Sequence, residues 1–223
     1  MFEIPEVTSG GETNVEEILA LGPQAVIMPT MAQTQEQVAA LENAGVAVIV
    51  TNAADIAGVY EAVTLIGAVV GREERAAEVV AEMQAAFDAV AAQAGGTGKT
   101  VYFEISPLAY GLWTAGSGTF MNELAALCGL TNVFGDLAGW QSVSSEQVIA
   151  LNPDFIVTTT NYPVDGMDPL EEIAAREGWE SVSAVANGDI VIADNNVMTR
   201  PSPRLVEAAQ FLLELVREAD AAA

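Results

Sequence analysis

The sequence contains no histidine, and only one cysteine and one lysine in 223 residues. Without an imidazole there can be no His-ligated zinc or manganese site, and no Ser-His-Asp or Cys-His nucleophilic pair. A single thiol, Cys128, excludes an internal disulfide and a CxxC site. It lies in the apolar helical run FMNELAALCGL, where a small buried residue is expected. Basic residues are scarce, seven against 31 acidic ones, for a net charge of −24. Such a field repels a phosphate backbone and argues against nucleic acid as a partner. No run is long and apolar enough to cross a bilayer. The opening MFEIPEVTSGG has neither the basic nor the apolar region of a signal peptide.

Hydrophobic residues, by contrast, make up 51% of the chain, enough for one large domain or two small lobes. The longest regular stretch is REERAAEVVAEMQAAFDAVAAQ, from Arg72 to about Gln93. Its apolar stripe runs through Ala76, Val79, Val80, Met83, Ala86, Phe87 and Val90, and no Gly or Pro interrupts it. At ~1.5 Å per residue it forms a rod of roughly 30 Å, long enough to be a spine between two halves. The segments AVIMP (Ala25 to Pro29), VAVIVT (Val46 to Thr51), TVYFEIS (Thr100 to Ser106), DFIVTTT (Asp154 to Thr160) and DIVIAD (Asp189 to Asp194) read as strands alternating with helices. The expected fold class is therefore α/β, two lobes with mainly parallel sheets joined by one long backbone helix. The expected limits are 1–71 for an N-terminal lobe, 72–94 for the linker helix and 95–223 for a C-terminal lobe. GGTGKT is not a phosphate loop: the glycine needed six residues before the lysine is Gln93, and the glycines follow a helix and precede a strand.

An internal repeat supports two similarly built halves. NVEEILALGPQAVIMPT (Asn14 to Thr30) lies over SSEQVIALNPDFIVTTT (Ser144 to Thr160) at one offset of 130, without a gap. A capped helix, a Pro turn and a buried strand thus occur twice, with Glu16 matching Glu146 in the first helical turn. Helix dipole and capping alone favour a glutamate there. Two lobes make a cleft, and loops after strands line it. Those loops carry Tyr110, Trp113, Trp140, Tyr162 and Met198 to Arg200, with Thr30 and Met31 as first-half counterparts. Aromatic rings in Gly-rich loops offer flat contact area, and Arg200 beside the rigid Pro201-Ser202-Pro203 turn suits a ligand carboxylate or phosphate. The ordinary alternatives are core packing for each aromatic and a surface charge among carboxylates for Arg200.

The order of NVEEILALGPQAVI, LIGAVVGREERAAE with its long helix, YFEIS followed by LWTAGSGTFMNELAALCGLTNVF, GWQSVSSEQVIALNPDFIV and TRPSPRLVEAAQFL resembles the cluster III, helical-backbone substrate-binding proteins of ABC importers. These carry ferric siderophores, haem and vitamin B12. The resemblance covers the chain from about Thr13 onward. It implies a non-enzymatic protein without a resident cofactor or metal. Its ligand would be a chelated metal compound held by Trp113, Trp140 and Arg200, with Tyr110 contributing less. It further implies that Glu16 and Glu146 dock onto arginines of a membrane permease, and that the protein works outside the cytoplasm, in the periplasm or as a membrane-anchored lipoprotein. Family members begin with a further strand, helix and strand, roughly 40 to 50 residues without a counterpart here. The first lobe is thus expected to be incomplete, with an open edge strand able to self-associate. Two other readings are an α/β enzyme using Glu104 or Asp165 as acid or base, and a ligand-sensing module on the same lobes.

Overall fold

The apolar stripe of the 72–93 stretch becomes helix α4 (Glu73–Ala91), which buries Ala76, Met83, Phe87 and Val90 along one side. Each of the larger side chains contributes about 1.5–3 kcal/mol by leaving water. The computed structural model describes residues 8–9, 12–30, 35–96 and 98–222. The chain divides into two compact units, one ending at Ala53 and the other beginning at Ala54. Helix α3 (Ile56–Val69) therefore goes with the second unit, a different partition from limits at 71 and 94. The physical reason is close helix packing: a Cβ placed on Gly67 would lie 2.3 Å from the Cβ of Ala76, so α3 and α4 pack as a tight hairpin.

In the first unit a short antiparallel pair, β1 (Thr8–Ser9) and β2 (Glu12–Thr13), precedes helix α1 (Val15–Ala20). The N-cap of α1 is Asn14, whose side chain accepts from the Glu17 N–H at 3.1 Å. The Thr13 side chain, and with it the expected Thr13–Glu16 capping box, lies outside the described residues, as does Met31. Strand β3 (Ala25–Pro29) pairs in parallel with β4 (Ala47–Thr51), which follows helix α2 (Gln35–Asn43). Ile18, Met28, Leu41 and Val46 form this unit's core.

The second unit is built on a parallel sheet of β10 (Ile190–Ile192), β9 (Phe155–Thr158), β5 (Thr100–Glu104) and β7 (Thr131–Asn132), in that order. Every side chain of β9 is buried, as expected for a strand covered on both faces. Asp154 fixes the start of the β5–β9 pair by accepting from both the N–H and the hydroxyl of Thr100 at 2.8 Å. Tyr102, Ile156, Val148 and Trp179 belong to the core beneath. Helix α5 (Phe120–Leu127) carries its buried face onto α10 (Leu205–Ala222), and Cys128 just beyond it is fully buried.

The repeat holds in three dimensions. Helix α6 (Ser145–Leu151) is capped by Ser144 and leads into β9, as α1 capped by Asn14 leads into β3. Four elements depart from the sequence pattern. Trp113 and Trp140 lie not in open loops but on a short antiparallel ribbon, β6 (Trp113–Ala115) with β8 (Trp140–Ser142). Helices α8 (Ser183–Asn187) and α9 (Asn195–Met198) are also additional. Both are too short for apolar periodicity to reveal.

Candidate functional site

In a parallel sheet the loops leaving the strand C-termini all emerge on one side, and that side is where α/β folds bind ligands. In the second unit these loops run from Glu104 to Trp113, from Thr158 to helix α7 (Pro169–Ala174), and from Ile192 through α9 to α10. They carry a concentration of exposed large apolar side chains: Leu108, Tyr110, Trp113, Tyr162 and Met167. Tyr110 is 71% exposed at the end of a single 3-10 turn, Leu108–Tyr110, stopped by Gly111 at φ 86°. Backbone bonds hold the loops side by side: Ile105 N–H donates to the Trp113 carbonyl at 2.9 Å and Thr159 N–H to the Glu104 carbonyl at 2.9 Å. The Asn195 amide donates to the Thr159 carbonyl at 3.2 Å.

The ribbon gives the two tryptophans a defined relation. Trp113 faces Ser142 and Trp140 faces Ala115, so both rings project from the same ribbon face as diagonal neighbours. Trp113 is exposed at its open end. Trp140 is half-buried, its ring edge-on to Phe120 at 5.6 Å between centroids, so it serves the core as well as the surface. Arg200 is exposed beyond α9 and forms no ion pair among the described residues. Met198, expected beside it, is 1% exposed and packs inward. In the first unit Thr30 donates its hydroxyl to the Thr51 carbonyl at 2.8 Å.

Glu16 and Glu146 are both exposed, each the second residue of its helix. Hydrogen bonds from its own backbone amide and from Ser144 hold the Glu146 carboxyl below the usual carboxylate range. Glu104, the enzyme candidate, is engaged otherwise. It is buried, and its two oxygens accept from Arg176 at 2.6 and 3.1 Å. Burial pushes its carboxyl up and the Arg176 guanidinium pulls it back, leaving it raised. Asp165 sits on an exposed turn at φ 50°. A groove of about 550 Å³ lies beside the edge strand β7, and none of Tyr110, Trp113, Trp140 or Arg200 lines it. Among the described residues no group of three carboxylates or thiols is placed to hold a metal ion. No helix among them is long and apolar enough to cross a membrane.

Sequence reasoning did not find the Glu104–Arg176 pair, whose partners lie 72 positions apart with no local signal. Leu108 and Met167 were missed for a different reason: isolated apolar residues in loops carry no periodicity.

Residues 2–197 match the family model described as periplasmic binding protein. The chain is 30% identical to an uncharacterized ABC transporter substrate-binding lipoprotein, YvrC, of Bacillus subtilis, over 96% of this chain and 69% of that one. It is 31% identical to a cobalamin-binding protein of Halobacterium salinarum, over 90% of this chain but only 56% of the relative's length. Both relatives are named as binding proteins, not enzymes. Among solved structures, a possible iron-binding (periplasmic solute-binding) protein of Staphylococcus epidermidis superposes with a TM-score of 0.78 at 28% identity, covering 92% of this chain and 80% of that one.

Proposed function

This chain belongs to the periplasmic binding protein family, and from that premise we propose that it is the substrate-binding component of an ABC importer, capturing a chelated metal compound and delivering it to a membrane permease. The observation that carries the reading is the gathering of exposed Tyr110, Trp113, Tyr162 and Met167 at the C-terminal edge of one parallel sheet, with Arg200, which forms no ion pair among the described residues, on a third loop of that edge. Apolar rings supply area to a large, rigid ligand, and a guanidinium orients one carboxylate or phosphate on it. Ferric siderophores, corrinoids and haem are each a bulky, rigid metal chelate that presents apolar surface together with peripheral polar groups. The cobalamin-binding relative and the iron-binding structural neighbour support that class.

Trp113, Tyr110 and Arg200 are the ligand contacts, with Trp140 beside Trp113 on the same ribbon face. With a net charge of −24, a strongly anionic ligand binds only where Arg200 and backbone N–H groups face it. Glu16 and Glu146, one on each copy of the repeat, are the groups offered to permease arginines. The working location is outside the cytoplasm, periplasmic or lipoprotein-anchored, as for the lipoprotein relative.

The test is tryptophan fluorescence quenching against cyanocobalamin, haemin and a ferric hydroxamate. Trp179 is buried, so Trp113 and Trp140 report on the loop face. One compound is expected to quench saturably, with affinity falling about tenfold in Trp113→Ala, the loss of one well-packed aromatic anchor. Unchanged affinity in both Trp113→Ala and Arg200→Ala would remove the loop face as the site.

A further inference from the structure

A line of contacting side chains, buried at Glu104, Arg176 and Trp179, connects the ligand-facing loops to the helix that carries Glu146. It begins at Glu104, the last residue of β5, from which the Tyr110 loop departs and against whose carbonyl Thr159 is held. Both Glu104 oxygens accept from Arg176, and the side chains of this pair are 1% and 2% exposed. The same guanidinium donates to Glu172 of α7 at 3.0 and 2.6 Å. Helix α7 closes the loop that carries Tyr162 and Met167. The Arg176 face lies over the Trp179 ring at 4.5 Å, and the Trp179 indole N–H donates to the hydroxyl of Ser145. Ser145 is the first residue of α6, and Glu146 is the next.

This arrangement is a costly way to fill a core. Burying charges carries a large desolvation cost, and a well-packed apolar replacement is often no less stable. What an ion network adds is register, because its partners tolerate one geometry. Only arginine can do what is done here: its planar fork pairs two carboxylates along the edge while its face stacks on an indole.

We propose that Arg176 is a positioning residue that, through Trp179 and Ser145, fixes the first turn of α6 in register with the loops after β5 and β9. The docking glutamate and the ligand face of the second unit are thereby set by one buried network rather than independently. The functional meaning rests on the proposed reading of Glu146. The mechanical connection does not.

Hydrogen–deuterium exchange on the full ligand-free chain tests it, comparing Ser145→Ala with Ser144→Ala. Ser144 caps the same helix turn from the outside: its side chain accepts from Gln147 N–H and bonds Glu146, whereas the bond to Trp179 is made by Ser145. Ser144→Ala is expected to speed exchange only within α6. Ser145→Ala is expected to speed it about threefold or more both in α6 and at Ile105, Thr159 and Thr160, while α10 is unchanged. Ser145→Thr, which restores a hydroxyl acceptor, should return the wild-type pattern. An effect of Ser145→Ala confined to α6, or spread evenly into α10, overturns the proposal. The measurement uses neither ligand nor permease. If the exchange pattern holds while Glu146→Ala leaves uptake intact, the docking assignment alone falls.

Discussion

Single residues in this chain are constrained mainly by what touches them. A Cβ on Gly116 would lie 1.9 Å from the Leu137 carbonyl oxygen and 2.7 Å from its carbon. These are backbone atoms, themselves engaged with Ser117, and they cannot turn aside. Gly116→Ala should therefore destabilise by about 1–3 kcal/mol, the range for forced overpacking, and lower the midpoint in a urea titration. Cys128 is constrained differently. Burial pushes its thiol up to about 12, and it donates to the Ala209 carbonyl at 3.2 Å. Since the thiolate is the reactive form, the folded protein should not react with a thiol reagent at pH 8, and urea should release one equivalent. The unfolded chain loses this proton first, so the thiol's contribution is full below its ordinary value near 9.0 and declines as pH rises above it. A urea midpoint that stays level in Cys128→Ala but falls in the parent between pH 8.5 and 10 would isolate that contribution.

At the scale of elements, the repeated helix–strand unit has unequal surroundings. β9 is paired on both sides, by β10 and β5, whereas its repeat counterpart β3 pairs only with β4 among the described residues. The difference shows in burial: every β9 side chain is buried, while Ile27 of β3 and Val50 of β4 are exposed. Residues 18–35 and 43–54 contain no charged side chain, so the overall charge does not guard this edge. An uncharged, apolar edge strand is a template for pairing with another chain. We expect concentration-dependent association in sedimentation velocity that strengthens with salt as the net negative charge is screened. Ile27→Lys should reduce it. A monomer at every concentration and salt would show the edge to be covered.

At the scale of the whole molecule, variants of the two exposed glutamates test the proposed handover separately from the proposed capture. Glu16 and Glu146 both sit at solvent-exposed helix starts. Glu16→Ala with Glu146→Ala should leave quenching affinity essentially unchanged and lower the melting temperature only slightly, through the lost first-turn dipole and capping interactions. Uptake through the cognate permease should fall by at least about tenfold, as when charged partners at an interface are left unpaired. Loss of ligand affinity in the double variant would instead place the glutamates at the ligand site.

Much of this architecture was legible in the sequence because it is local or periodic. The α4 stripe announces itself at helical spacing. The parallel strands read as short apolar runs between turn residues, and the repeat at offset 130 paired Glu16 with Glu146 before any fold was drawn. Tyr110 was legible as an aromatic in a Gly-rich loop after a strand, whereas Trp113, read in the same loop, lies on the ribbon. Tertiary structure alone decided the rest. It placed Trp140 half in the core against Phe120, turned Met198 inward, set Trp113 and Trp140 on one ribbon face and tied Glu104 to Arg176. The reason is the same in each case. Periodicity tells a side chain's face within its own element, but partners tens of positions away are chosen by the packing of whole elements, which no local window contains.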